Sequence, residues 1–278
     1  YRSVRHTMNG FRKNPTLKVD RSFDFVNPKA GVSYQKNGYN FYVSYAVANK
    51  EPNRDDFEAG LTNQPKHEQL QDVELGIERK TAKYTWGATL YYMHYRNQLI
   101  VTGQINDVGA YNRVNVPNSY RMGLELQGSY QFNHWLQANA NIALSQNKIK
   151  QFTEYIDNYD APIFKQEAIV HNNTDIAFSP NIVANYQVTA KPIKHVSLAL
   201  PGKYVGRQYL DNTQNKARSL QAFFVQDVRL SYQLPNRWAK SIQLNAQVNN
   251  IFNRKYEPNG YTFSYIAGGS TITENFFF

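Results

Sequence analysis

The sequence predicts an all-β protein, an antiparallel transmembrane β-barrel. Three observations carry this: strand-period alternation along residues 39 to 251, connections that are alternately short and long, and aromatic residues at strand ends beside the short connections. The clearest run sets Tyr39, Phe41, Val43, Tyr45 and Val47 on one face and Asn40, Tyr42, Ser44 and Ala46 on the other. Val73, Leu75 and Ile77 oppose Asp72, Glu74 and Glu78 in the same way, and Met122, Leu124 and Leu126 oppose Arg121, Glu125 and Gln127. Later runs repeat the pattern: Leu136, Ala138, Ala140, Ile142 and Leu144 against Gln137, Asn139, Asn141 and Ser145, then Ile242, Leu244, Ala246 and Val248 against Gln243, Asn245, Gln247 and Asn249. One face calls for an apolar medium and the other for water.

A soluble sandwich also alternates, but its strands are about 5–6 residues long. A tilted membrane strand needs about 9–11 residues, and the runs Arg121 to Phe132 and Trp135 to Asn147 reach that length. Tyr84, Trp86, Tyr130, Phe132, Trp135 and Tyr232 sit beside the short turns, where amphipathic rings suit a membrane interface.

In chain order, strands are expected near residues 1 to 7, 22 to 35, 39 to 49, 68 to 80, 84 to 96, 118 to 132, 135 to 148, 178 to 190, 195 to 209, 222 to 234 and 241 to 251. Short turns fall at Lys36-Asn37-Gly38, Thr81 to Lys83, Asn133-His134, Lys191 to Lys194 and Pro235 to Lys240, each with turn chemistry or a polar break. Long connections fall at 8 to 21, 50 to 67, 97 to 117, 149 to 177, 210 to 221 and 252 to 278. In bacterial barrels short turns are periplasmic and long loops extracellular, and the strand number is even. Eleven strands therefore imply either a twelfth beginning near Thr271 or a chain that is part of a larger barrel. Pro201 and Gly202 are expected to mark a bulge in the ninth strand.

Composition narrows the function classes. The 278 residues form one cooperative unit with no internal linker. Mean hydropathy is -0.63, with 21 Tyr and 16 Phe, a mixture suited to a barrel with a wet interior and large polar loops. No stretch approaches the roughly 20 apolar residues of a membrane helix. With no cysteine, thiolate catalysis and cysteine-bound metals are excluded. The net charge of +10 is scattered and forms no basic run, so it points to anionic lipid headgroups and not to nucleic acid. The chain opens in the strand-like Tyr1 to Thr7 without a signal peptide, so the true N-terminus of an exported barrel is expected upstream.

The run Gln247-Val248-Asn249-Asn250-Ile251-Phe252-Asn253-Arg254-Lys255-Tyr256 resembles the penultimate-strand signature of TonB-dependent outer-membrane receptors. VANKEPNRDDF (47 to 57) and KYVGRQYLDNT (203 to 213) resemble members of that family from the Bacteroidetes. The resemblance covers essentially all 278 residues, and implies the C-terminal portion of a barrel of about 22 strands, roughly half of it. It implies uptake of a bulky nutrient or metal chelate, first an iron-siderophore complex, with haem, cobalamin or an oligosaccharide as alternatives. The mechanism the resemblance implies is capture by extracellular loops, then TonB-driven rearrangement of an N-terminal plug that is not found in this chain. Outer-membrane lipid, the ligand and TonB are the implied partners; no resident cofactor is implied. Family members usually end in an aromatic residue, but the final Phe278 follows the last long loop too closely to close a complete strand.

Candidate ligand residues lie on the long connections. Arg54, Asp55, Asp56 and Glu58 form a charge cluster whose carboxylates suit a hard cation or a solvated loop. Tyr155 and Tyr159, with Asp157, Asn158 and Asp160, combine rings and polar groups fit for a bulky polar ligand. Arg207, Tyr209, Asp211 and Asn212 stand where the ninth strand leaves the membrane, and Arg207 suits an anionic chelate or a loop carboxylate. Arg121, Glu125, Asp227 and Arg229 on the inner face fit either a plug or a hydrated network. The six histidines show no paired zinc spacing. His171, Asp175 and Ser179 invite a hydrolase reading, but no nucleophile elbow accompanies them and no enzyme is expected. The alternatives are a self-contained 12-stranded channel or lipid hydrolase, and a soluble β-rich binding module.

Overall fold

The computed structural model describes all residues except 12–13, 60–63, 106–110, 164 and 236–238. In chain order the elements are β1 (Arg2–Phe11), β2 (Asn14–Phe25), β3 (Lys29–Lys36), β4 (Tyr39–Lys50), α1 (Arg54–Ala59), β5 (Glu68–Lys80), β6 (Tyr84–Ile105) and β7 (Tyr111–Gln131). There follow β8 (Leu136–Asn158), β9 (Lys165–Asp175), β10 (Ile182–Ala190), β11 (Val196–Val205), β12 (Gln208–Tyr209), β13 (Ser219–Leu220) and β14 (Phe223–Gln226). The last are β15 (Val228–Leu234), β16 (Ile242–Val248), β17 (Gly260–Ala267) and β18 (Ser270–Phe277).

Ten strands lie side by side in the order β16-β15-β11-β10-β8-β7-β6-β5-β4-β3, each antiparallel to its neighbour. This is an up-and-down barrel wall, and among the described residues it does not close on itself. The register keeps the alternation of the sequence: Tyr42 faces Gly76 while Phe41 faces Ile77 and Val43 faces Leu75. The apolar face is bare, with Val43 44%, Leu75 51%, Leu90 55% and Leu244 57% exposed. No second sheet covers it among the described residues, so the soluble-sandwich alternative lacks the layer that alternation would need. A bare apolar outer face of this kind is what a transmembrane barrel presents.

The short turns have local causes. Asn37 and Gly38 both adopt positive φ (52° and 78°), the hairpin geometry that matches strand twist. Thr81 Oγ1 accepts from the Tyr84 amide at 3.0 Å, and Asn133 Oδ1 accepts from the Trp135 and Leu136 amides. The turn after β15 lies partly outside the described residues.

Several expected loops are corrected. Residues 97 to 117 and 149 to 177 are mainly strand, because β6, β7, β8 and β9 continue pairing beyond the wall as long hairpins. The apolar residues Ile100, Val116, Ile149, Phe152 and Ile176 bury one another there, which stabilises the extension. Residues 8 to 21 likewise belong largely to the β1–β2 hairpin. The expected strand 22 to 35 is divided at Asn27-Pro28, where Asn27 Oδ1 accepts from the Asn49 amide at 3.0 Å. The strand expected near Thr271 is β18, but it pairs with β17 and not with the wall.

At Pro201 no register shift occurs, contrary to the expected bulge: Ala199 faces Arg229 and Gly202 faces Gln226 in one continuous alignment. Proline has no N–H for Asp227, and the Gln226 side chain replaces it, with Nε2 donating to the Asp227 carbonyl at 2.9 Å and to the Pro201 carbonyl at 2.7 Å. Tyr186 donates its hydroxyl to Gln226 Oε1, and its ring covers Gly202, where a Cβ would stand 2.4 Å from the ring.

Candidate functional site

The long-loop end carries a cavity of about 510 Å³, within the usual range for small-molecule sites. Its walls come from the extensions of β6 and β7 (Thr102, Arg113, Asn115), from β8 (Gln151, Thr153, Tyr155), from the segment between β11 and β14 (Asp211, Thr213, Arg218) and from β17 (Thr262, Phe263, Ser264).

Arg218 organises this region. Its Nη1 donates to Glu154 Oε1 at 2.6 Å and Asp211 Oδ2 at 2.7 Å, while Nη2 donates to Ser264 Oγ at 2.7 Å and Thr273 Oγ1 at 3.2 Å. One guanidinium therefore ties β8, the 206 to 222 segment and the β17–β18 hairpin together. Burial alone would disfavour the charge, but the Asp211 and Glu154 carboxylates outweigh it and raise the guanidinium above its ordinary pKa. Glu154 Oε2 also meets His171 Nε2 at 2.9 Å. Beside it, Lys148 Nζ pairs with Asp175 Oδ1 at 2.9 Å and reaches Gln214 Oε1 at 3.3 Å. Asn212, fully buried, accepts from the Ala177 amide and donates to the Val101 carbonyl.

The structure separates the candidates. Asp211 and Tyr155 line the cavity; Asp211 is 4% exposed and bonded to Arg218, whereas Tyr155 is 58% exposed. Tyr159 stands outside the lining, 64% exposed, its ring edge-on to Tyr265 at 6.0 Å. Arg207 is exposed and Tyr209 half-buried, both away from the cavity wall, with Tyr209 paired to Ser219. Arg54 and Asp55 are exposed on α1. Asp56 is turned inward: its carboxylate accepts from the Asn53 amide at 2.8 Å while Asn53 Oδ1 accepts from the Asp56 amide at 3.0 Å. This reciprocal cap holds the helix start, and Arg113 Nη1 lies 3.6 Å from Asp56 Oδ1. Burial is the main cause that raises the Asp56 pKa, with Arg113 acting against it. Next to it Phe57, 1% exposed, packs into Leu17, Val19, Phe23 and Phe25 of β2. The Glu58 side chain lies outside the described residues. Among the described residues no group of three or more His, Cys, Asp or Glu is placed to hold a metal ion.

The hydrolase constellation does not assemble. His171 pairs with Glu154, Asp175 with Lys148, and Ser179 accepts from Arg121 at 3.0 Å, three separate engagements. Inner-face polar residues bond to near neighbours: Arg121 also reaches Asn147, Arg229 donates to Gln247, and Asp227 accepts from the Asn250 amide at 2.7 Å. This last bond ties the C-terminal motif to the residue just before β15. Asn250 then exchanges hydrogen bonds with the Arg254 backbone, and Tyr256 stacks on Phe223 with centroids 4.1 Å apart. Sequence reasoning missed Arg218, Arg113 and Glu154, which stand alone in polar stretches without periodic or motif context.

A barrel wall with a bare apolar outer face and a polar cavity above it, between strand extensions and loops, is the architecture of an outer-membrane β-barrel. The chain belongs to the family described as TonB dependent receptor-like, beta-barrel, whose model matches residues 2–251. Among solved structures it is similar to the siderophore receptor PiuA from Acinetobacter baumannii (16% identity, TM-score 0.68, covering 99% of this chain and 39% of that one). It is also similar to the ferric yersiniabactin uptake receptor FyuA from Yersinia pestis (17% identity, TM-score 0.63, 93% and 36%). The copper transporter OprC is a third such neighbour (16% identity, TM-score 0.65, 99% and 44%). The chain thus spans well under half the length of these structures. No curated protein is similar in sequence.

Proposed function

We propose that this chain is the C-terminal portion of the barrel of a receptor that imports a bulky nutrient across the outer membrane, an iron-siderophore complex before other ligands, by TonB-coupled transport through a plug carried elsewhere in the protein. The observation that carries the reading is the cavity of about 510 Å³ at the long-loop end, together with the siderophore receptors among the structural neighbours. Its charges are largely offset, Arg218 by Asp211 and Glu154, and Arg113 by Asp56. What is left for a ligand is a wall of hydroxyls, amides and the exposed Tyr155 ring, suited to a chelate recognised by hydrogen bonds and ring contact. Tyr155 is the proposed contact and Asp211 the residue that holds Arg218 in place; Arg54, Asp55, Tyr159, Arg207 and Tyr209 are kept as candidates outside the cavity lining.

The test uses the full-length receptor as the sole uptake route in cells starved of iron. Growth on a panel of ferric hydroxamate and catecholate chelates, lost for one chelate on Tyr155→Ala and absent without TonB, supports the reading. Growth indifferent to the receptor on every iron source, with uptake of an oligosaccharide or cobalamin instead, overturns the siderophore assignment.

A further inference from the structure

The short-turn end has a property that ligand uptake does not use. Its five turn segments, residues 34–39, 79–86, 130–136, 189–196 and 234–242, contain no Asp or Glu, although the chain has 21. Four of the five carry lysine: Lys36, Lys80 with Lys83, Lys191 with Lys194, and Lys240. Turn segments free of carboxylates form a one-sign surface, with Glu78 lying just outside the second segment.

The position of the cations relative to the two faces shows what they meet. Arg79 lies on the same face of β5 as Val73, Leu75 and Ile77, the bare apolar face. Its guanidinium carbon stands 4.6 Å from the Tyr39 ring centroid and 5.6 Å from that of Tyr84, and Nη1 donates to the Tyr39 hydroxyl at 2.8 Å. Lys83 Nζ is 5.2 Å from the Tyr130 ring centroid, and Tyr130 packs edge-on against the exposed Phe132 at 4.9 Å. Trp86 and Trp135, 37% and 40% exposed, complete the same rim. Cations seated on aromatic rings at the edge of a lipid-facing belt stand at the depth of headgroup phosphates, beside the membrane and not over the lumen.

We propose that this rim is a binding surface for anionic phospholipid headgroups of the leaflet that the short turns face, with Arg79 and Lys83 as its phosphate-reading pair on the Tyr39, Tyr84 and Tyr130 platform. The inference rests on the barrel orientation used under Proposed function, long loops outward and short turns periplasmic. A soluble acidic partner is the weaker fit, because the rings that hold Arg79 and Lys83 belong to the hydrocarbon-facing row.

The experiment purifies the full-length receptor into nanodiscs of phosphatidylcholine containing phosphatidylglycerol. Lipid enrichment around the protein is read by mass spectrometry, comparing wild type with Arg79→Gln/Lys83→Gln. Expected is a several-fold enrichment of phosphatidylglycerol for the wild type that falls to near the bulk ratio in the double variant, with ferric-chelate binding unchanged. Equal enrichment in both proteins overturns the proposal and leaves the uptake reading intact. Orientation is checked separately in cells by an impermeant thiol reagent on Asn37→Cys and Asn215→Cys. Labelling of the position 37 variant from outside overturns this inference and the orientation with it; labelling of the position 215 variant alone supports both.

Discussion

At the short-turn end the chain reverses within a few residues, leaves its lysines exposed, and holds its described turns by bonds spanning about one turn, such as Thr81 to Tyr84 and Asn133 to Leu136. At the long-loop end Arg218 is buried and bonded across great sequence distances, to Glu154 and Thr273, as well as to nearby Asp211. The contrast teaches that one sheet can be finished in two ways. A rim that only turns the chain needs local chemistry, whereas a mouth that must hold a shaped cavity without a bilayer around it needs its own small cores and ion pairs. Two small apolar clusters among the described residues lie at or near that mouth.

The sharpest way to break this contrast is Arg218→Met in the full-length receptor. It leaves the buried Asp211 without its cation and the part-buried Glu154 with His171 alone, a loss of about 3–5 kcal/mol for a buried pair. Hydrogen exchange should rise sharply in residues 206 to 222 and in the β17–β18 hairpin while the wall strands β5 to β8 stay protected. Uniform exchange across the protein would show that the mouth is not a separate cooperative unit.

A smaller effect is expected inside the wall. In Gly76→Ala the new Cβ would stand 2.0 Å from the Tyr42 ring, whose hydroxyl is held by Thr89 at 3.0 Å. Overpacking of this sort costs about 1–3 kcal/mol, readable as a lower urea midpoint in vesicles. Adding Tyr42→Ala should recover part of it, because the two changes share one space.

Third, the mouth should respond to pH through Asp56. Its folded pKa lies above the ordinary 3.8, mainly through burial. The folded state therefore holds the proton more tightly, and its contribution is most favourable below the unfolded pKa. Stability is lost as pH rises from near 3.8 toward the raised value, with a slope no steeper than about 1.4 kcal/mol per pH unit. Asp56→Asn keeps an acceptor for the Asn53 amide and should flatten this slope, measured as exchange around α1 between acidic and neutral pH. The smallest effect belongs to the opposite rim: Lys83→Gln removes one exposed cation–ring contact, about 0.5–1 kcal/mol, and should leave hydrogen exchange at the mouth unchanged.

Much of the fold was legible because its signals are local. The two-residue alternation of Tyr39 to Val47 assigns the faces of β4 before any partner is known, and Asn37-Gly38 dictates its own hairpin. The same local reading failed at Pro201, where the missing donor is replaced by Gln226, 25 residues away. It also failed along 97 to 117 and 149 to 177, where polar residues read as loop while Ile100, Val116, Ile149 and Phe152 find one another across strands. Of the candidate site, Asp211 and Tyr155 were visible as loop residues of suitable chemistry, but Asp56 of the acidic cluster proved to be a helix cap.

By itself the sequence determined the wall: its faces, its turns, its aromatic rim and, through the run ending at Tyr256, its family. These depend on interactions between residues near in the chain or on the medium each face requires. Only the tertiary structure decided the mouth. Arg218 lies 64 residues from Glu154 and 55 from Thr273, and no periodicity records which distant carboxylate a buried cation will meet.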